Sequence, residues 1–178
     1  MSLVITIPYG ELWDSINNKF IYSKEQTIAF EHSLVSISKW ESKWHIPFLS
    51  SENKTTEQVF DYIKCMTLSQ NVKDETYNFL TESNLKDIKE YIDNPMTATW
   101  FSEQGPKSRK IITSEVIYYY MIELGVPMEC QKWHINRLLT LIRVITEERK
   151  EHKMSTNELY RRNSNLNALR KKKLGIRN

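Results

Sequence analysis

Hydrophobic and polar positions follow a two-residue period near the start of the chain and a three-to-four-residue period afterwards. Residues 3–7 (LVITI) are rich in β-branched side chains and end at Pro8, which cannot donate to a sheet ladder. Residues 19–22 and 27–32 are two further short strand candidates. The pattern predicts an antiparallel hairpin or a three-stranded sheet, which would need a helix or a partner chain to cover its face.

From Ser33 onward the hydrophobic spacing is helical. It predicts a helix from Ser33 to the residues before Pro47, followed by helices near 55–68, 74–82, 85–93, 113–124, 129–150 and 155–173. Capping boxes mark the starts at Thr55 and Ser155, and Gly125 has the position of a C-terminal cap. The expected fold is mainly α, with the N-terminal strands packed on a helical bundle and a basic helix at the C-terminus.

Charge is distributed unevenly between the two ends of the chain. Residues 149–178 carry ten Lys or Arg and two Glu, a net charge of +8, whereas residues 1–148 carry 15 basic and 20 acidic residues, a net charge of −5. We therefore expect a mainly helical body over 1–148 with the N-terminal strands, and a basic linker with a helical arm over 149–178. Such an arm would favour an acidic partner, a nucleic acid or the body of a second copy.

The sequence offers little chemistry for a catalytic or metal site. No phosphate-binding glycine loop, dinucleotide fingerprint or nucleophile elbow is present, and no nucleophile stands in a recognisable pattern with a base. Cys130 and His134, four residues apart on the predicted helix, supply only half of a zinc site. We therefore expect a protein that is not an enzyme, with no cofactor and no metal, and Cys65 and Cys130 as reduced core thiols.

Two segments are candidates for protein binding. The first is the 94–101 loop, whose Trp100 and Phe101 could anchor a partner or dock onto the protein's own core. The second is the arm, which could be a solvated helix end, a nucleic-acid arm or a protein-binding arm. A narrow leucine stripe favours protein binding, and Tyr160 alone offers little base stacking. The candidate arm residues are Leu159, Arg161, Arg162, Leu166, Leu169, Arg170, Lys171, Lys172 and Lys173.

Five segments together resemble a family of tailed-bacteriophage tail assembly chaperones. They are EHSLVSISKWESKWHIPFL (31–49), DYIKCMTL (61–68), NPMTATWFSE (94–103), ECQKWHINRLLTLIRV (129–144) and RRNSNLNALRKKKLG (161–175). The resemblance implies a non-enzymatic assembly factor that binds the tape-measure protein and recruits tail-tube subunits. It carries no catalytic signature and transfers no site residues.

Two alternative functions stay open from the sequence. The chain could be a structural virion component of the tail or of the head–tail connector, or a small nucleic-acid-binding regulator. The favoured function places it in the cytoplasm of the infected bacterial host, or in the virion, with self-association between acidic body and basic arm. No apolar run approaches the roughly 20 residues of a transmembrane helix, so no membrane partner is expected.

Overall fold

The computed structural model describes residues 2–15, 18–101, 111–153 and 156–173, and the side chains of residues 151–153, 159 and 172 lie outside that description. Its contacts divide the chain into two compact units, residues 1–140 and 141–178. The predicted boundary after residue 148 falls inside the second unit. The prediction of a mainly helical protein with N-terminal strands is confirmed.

The first unit begins with four strands that form two antiparallel ladders. Strand β1 (Leu3–Ile7) pairs with β4 (Gln26–Phe30), and β2 (Gly10–Asp14) pairs with β3 (Lys19–Ser23). The expectation of two or three strands was wrong, because β2 was missed. Its sequence GELWD begins with Gly and has no β-branched residue, so strand propensity gives no signal there.

The two ladders keep one register, yet the face that the inner ladder buries is exposed in the outer ladder. Ile7 lies opposite Gln26 and Gly10 opposite Ser23, so two residues intervene on each side of the break at Pro8. The inner ladder buries Ile5, Ile7, Ile28 and Phe30. Strict alternation would bury the same face of the outer ladder, which carries Trp13, Phe20 and Tyr22, but that face is exposed.

Phe79 packs against the other face of the outer ladder, at Gly10. A Cβ atom built on Gly10 would collide with the Phe79 ring, so this ring packs directly against the glycine backbone. Phe79 ends a short 3-10 helix, Asp74–Phe79, in a region where the sequence predicted a helix. Contact with this 3-10 helix therefore turns Trp13 and Phe20 toward solvent.

Five helices contribute to the core of the first unit. They are α1 (Leu34–Trp44), α2 (Thr56–Met66), α3 (Glu82–Asp93), α4 (Ser114–Leu124) and the first turns of α5 (Ile135–Lys153). Helix α1 packs against α2 and α4, and α3 packs against β1. The core contains Ile5, Ile7, Ile28, Phe30, Leu34, Ile37, Trp40, Tyr62, Ile63, Met66, Ile88, Tyr91, Ile117, Met121, Ile135 and Leu138.

Local capping signals were predicted correctly. Thr55 and Gln58 form the expected capping box of α2, α3 ends before Asn94 and Pro95, and Gly125 closes α4 at a φ of 70°. Residues 102–110, whose Gly, Pro and Ser content is typical of a loop, and the capping residue Ser155 lie outside the described residues. Each confirmed signal acts within four residues of the helix end that it marks.

The predicted helix at 129–150 starts later than expected. Residues Met128–Lys132 form a 3-10 helix, and α5 begins at Ile135. Between them His134 pairs with Ser33 in an isolated β-bridge, and the Ile135 N–H donates a 2.8 Å hydrogen bond to the His32 carbonyl. This pairing holds the chain extended, so Cys130 and His134 do not share one helix face as the sequence suggested.

The second unit contains the rest of α5 and helix α6 (Thr156–Lys173). Arg162 of α6 donates to the Glu147 carboxylate of α5 over 3.1 Å, which joins the two helices. The three-to-four-residue spacing of apolar side chains in α5 predicts that Leu141 and Ile142 are core residues, but both are only half-buried. Among the described helices, none is long and apolar enough to cross a membrane.

Candidate protein-binding surfaces

The predicted loop residues Trp100 and Phe101 differ in exposure. The Trp100 side chain is 63% exposed, and Phe101 is half-buried. The preceding turn is fixed by Asn94, whose side-chain oxygen accepts a 2.8 Å hydrogen bond from the Met96 N–H. Trp100 therefore lies where a partner could contact it.

The candidate arm residues all lie on α6, but they do not form one exposed surface. Arg162 is half-buried in its ion pair with Glu147, and Leu166 is half-buried as well. The side chains of Leu159 and Lys172 lie outside the described part of the structure. The exposed candidates are Arg161, Leu169, Arg170, Lys171 and Lys173.

Glu147 forms ion pairs with two neighbouring basic residues. Its pKa is lowered, first by the hydrogen bond from Lys150 and then by the positive charges of Lys150, Arg162 and Arg143. The carboxylate accepts from Lys150 and from Arg162 over 3.1 Å each. Arg162 therefore has an ion-pair partner within the second unit.

Of the leucines on α6 whose side chains the structure describes, Leu169 is more exposed than Leu166.

A further aromatic surface was not predicted from the sequence. Trp13, Phe20 and Tyr22 form what we call the hairpin aromatic face, with exposed fractions of 52%, 52% and 61%. Trp13 lies directly opposite Phe20, and their rings meet edge to face with centroids 4.8 Å apart. Desolvation and the neighbouring Glu11 carboxylate raise the pKa of Tyr22. The two-residue spacing of Phe20 and Tyr22 indicates that both side chains lie on one face of β3. A strand predicted at β2 would have placed Trp13 on the same face.

A buried polar cluster lies at the centre of the first unit. His32 Nδ1 is hydrogen-bonded to the Tyr62 hydroxyl, and the His32 and His134 rings meet edge to face with centroids 4.9 Å apart. Desolvation, with a contribution from the neighbouring His134, lowers the pKa of His32 to about 3. Desolvation also lowers the pKa of His134. Both histidines are therefore neutral at pH 7.

The hydrogen bonds of His134 define its role in the cluster. Its Nε2–H donates to the Tyr91 carbonyl over 2.9 Å, and Nδ1 accepts from the Asn136 N–H over 3.3 Å. Both ring nitrogens are thus engaged with backbone groups, which ties α3 to the start of α5. The cluster is a structural node that joins β4, α2, α3 and α5. Within the described residues, no group of three His, Cys, Asp or Glu side chains is placed to hold a metal ion.

Comparison with known proteins identifies no relative of this chain. The chain matches no protein-family model, no curated protein and no solved structure.

Proposed function

We propose that this chain is a non-enzymatic assembly factor of the tail assembly chaperone type, which binds the tape-measure protein and recruits tail-tube subunits. The resemblance of five sequence segments to that family supports the proposal. The structural observation that carries it is the hairpin aromatic face, because half-exposed Trp, Phe and Tyr side chains in one cluster are typical of protein-binding surfaces.

In this proposal the helices of the first unit act as a bundle that carries the hairpin. The hairpin aromatic face supplies apolar contacts to the long, aggregation-prone tape-measure helix. Trp13 and Phe20 already contact each other, so little side-chain freedom would be lost when a partner covers them.

Helix α6 acts as the basic arm. Its exposed Arg161, Arg170, Lys171 and Lys173 would attract an acidic partner and accelerate encounter, whereas Leu169 would add an apolar contact. Exposed charges of this kind are screened by salt, which suits an association that must be reversed once the tail is built.

Co-expression with the tape-measure and tail-tube proteins tests the proposal. The wild-type chain is expected to keep the tape-measure protein in the supernatant and to co-purify with it. A Trp13→Thr, Phe20→Thr variant keeps strand-forming residues while removing the aromatic pair, and it should lose co-purification. The matched control is Tyr119→Ala, which removes an exposed aromatic residue from α4.

Two results would contradict the proposal. One is equal co-purification by the double threonine variant, provided that circular dichroism shows both variants folded. The other is recovery of the chain from purified virions in stoichiometric amounts by mass spectrometry, since an assembly factor leaves the particle and a structural tail component stays.

A further inference from the structure

A small cleft lies beside the start of α5. It is lined by Met96, Trp133, His134 and Arg137 and has a volume of about 240 Å³. The guanidinium carbon of Arg137 lies 4.2 Å from the centroid of the Trp133 ring, so the cation is held against the indole. Stacking of this kind orients a guanidinium group and leaves the N–H groups at its edge able to donate hydrogen bonds.

The segment that leads to Met96 is held to the start of α5 by hydrogen bonds. The side-chain amide of Asn136 donates to the carbonyl of Ile92 over 3.2 Å and to that of Asn94 over 2.8 Å. Met96 follows with a left-handed backbone, at a φ of 51°. The cleft is therefore formed before any ligand enters, which lowers the entropic cost of binding.

Arg137 is a solvent-exposed cation that lines this cleft. Among the described residues no carboxylate lies within ion-pair distance of it, and α5 has no acidic residue in its first turn. His134 contributes no charge, because both of its nitrogens are engaged with backbone groups. The positive end of the α5 dipole adds to the preference for an anion.

We propose that this cleft binds a single carboxylate of an acidic protein segment, with the guanidinium of Arg137 as its counter-ion and Met96 and Trp133 contacting the adjoining methylene groups. One planar guanidinium matches one carboxylate in a two-bond geometry. Phosphate polyanions are usually held by several cations, whereas Arg137 is the one charged side chain among the four residues that line the cleft. This inference depends on the four cleft residues and does not depend on a role of the chain in tail assembly.

The test follows the indole N–H resonance of Trp133 by NMR, assigned with Trp133→Phe, in the full chain at low salt. The probes are N-acetylglutamate N-methylamide for a side-chain carboxylate and N-acetylalanine for a C-terminal one. N-acetylglutamine N-methylamide is the neutral control, and inorganic phosphate is the competing anion. We expect saturable shifts with one or both carboxylates, at a dissociation constant of about 1–10 mM for so small a ligand.

Arg137→Gln should weaken carboxylate binding about tenfold, whereas Lys24→Gln, an equal charge change outside the cleft, should leave it unchanged. Equal shifts with the neutral probe, or an undiminished response in Arg137→Gln, would overturn the proposal. Tighter binding of phosphate than of both carboxylates would overturn it as well.

If Arg137→Gln does not fold, Met96→Glu provides the second variant. It places a tethered carboxylate beside the guanidinium, so the carboxylate probes should no longer shift Trp133. A full response in Met96→Glu would contradict the assignment of Arg137 as the binding group.

Discussion

The Glu41 carboxylate accepts a 2.7 Å hydrogen bond from the backbone N–H of Ser114, which lies 73 residues further along the chain. Its other oxygen accepts a 2.7 Å bond from the Phe48 N–H. Glu41 is buried, and Ser114 is the first residue of α4. The carboxylate therefore joins α1 to the positive end of α4, where a negative charge is stabilised.

Replacing Glu41 with Gln should lower the free energy of unfolding by about 1–3 kcal/mol. An amide retains one acceptor oxygen, but its NH2 group would face a backbone N–H that then has no partner. Urea denaturation measures the change. Glu52→Gln, at an exposed position, should stay within about 0.5 kcal/mol of the wild type, and an equally small effect at Glu41 would contradict this account.

His32 should make stability depend on pH below neutrality. Its pKa of about 3 in the folded state lies below the value of about 6.5 for an unfolded histidine, so only the unfolded chain takes up the proton between these values. The contribution of His32 to the free energy of unfolding is therefore present above pH 6.5 and is lost as the pH falls. Between pH 6.5 and 5 this loss from His32 alone is about 2 kcal/mol. The lowered pKa of His134 acts in the same direction.

Chemical denaturation across this pH range, in wild type and His32→Gln, tests the linkage. The variant should be less stable at pH 7.5 and should lose less stability on acidification, because its residue 32 cannot be protonated. His45→Asn, which replaces an exposed histidine at a left-handed helix cap, is the matched control variant. Parallel slopes for wild type and His32→Gln would rule out His32 as the source.

Gly10→Ala should destabilise the first unit by about 1–3 kcal/mol, the usual range for overpacking, because the new methyl group collides with the Phe79 ring. Adding Phe79→Leu should recover part of the loss, since the smaller side chain makes room for the methyl group. A double-mutant cycle by denaturation measures this coupling, and strictly additive effects would show that the two residues do not press on each other.

Leu138→Ala should cost about 2–5 kcal/mol, because Leu138 is fully buried in the first unit. Leu141→Ala should cost less, since Leu141 is half-buried and belongs to the second unit. Denaturation curves of both variants provide the comparison. A larger loss at Leu141 than at Leu138 would place the core boundary further along α5 than the structure does.

The opposite net charges of residues 1–148 and 149–178 predict salt-dependent self-association. Light scattering should show assembly at low salt that weakens toward 1 M, where the screening length is about 3 Å. Assembly should be lost in a fourfold Gln variant of Arg161, Arg170, Lys171 and Lys173.

The matched control replaces four exposed lysines of the first unit with Gln, namely Lys19, Lys24, Lys73 and Lys89. It removes the same charge and should still assemble. Assembly of the arm variant to the same extent as the wild type would exclude the arm as the connector and direct attention to the hairpin aromatic face.

The sequence alone determined the features of this protein that depend on neighbouring residues. The strand at 3–7, the capping box at Thr55, the helix end at Asn94 and the left-handed cap at Gly125 follow from propensity and backbone geometry within a few positions. The mainly helical class follows in the same way from the spacing of apolar residues.

Tertiary contacts decided which face of the hairpin is exposed and where α5 begins. The Phe79 ring against Gly10 leaves Trp13 and Phe20 in solvent, although alternation from Ile5 and Ile7 would bury them. The β-bridge of His134 to Ser33 delays the start of α5. Each of these contacts joins residues dozens of positions apart, so no local period or cap encodes it, and only the packed core brings the two partners together.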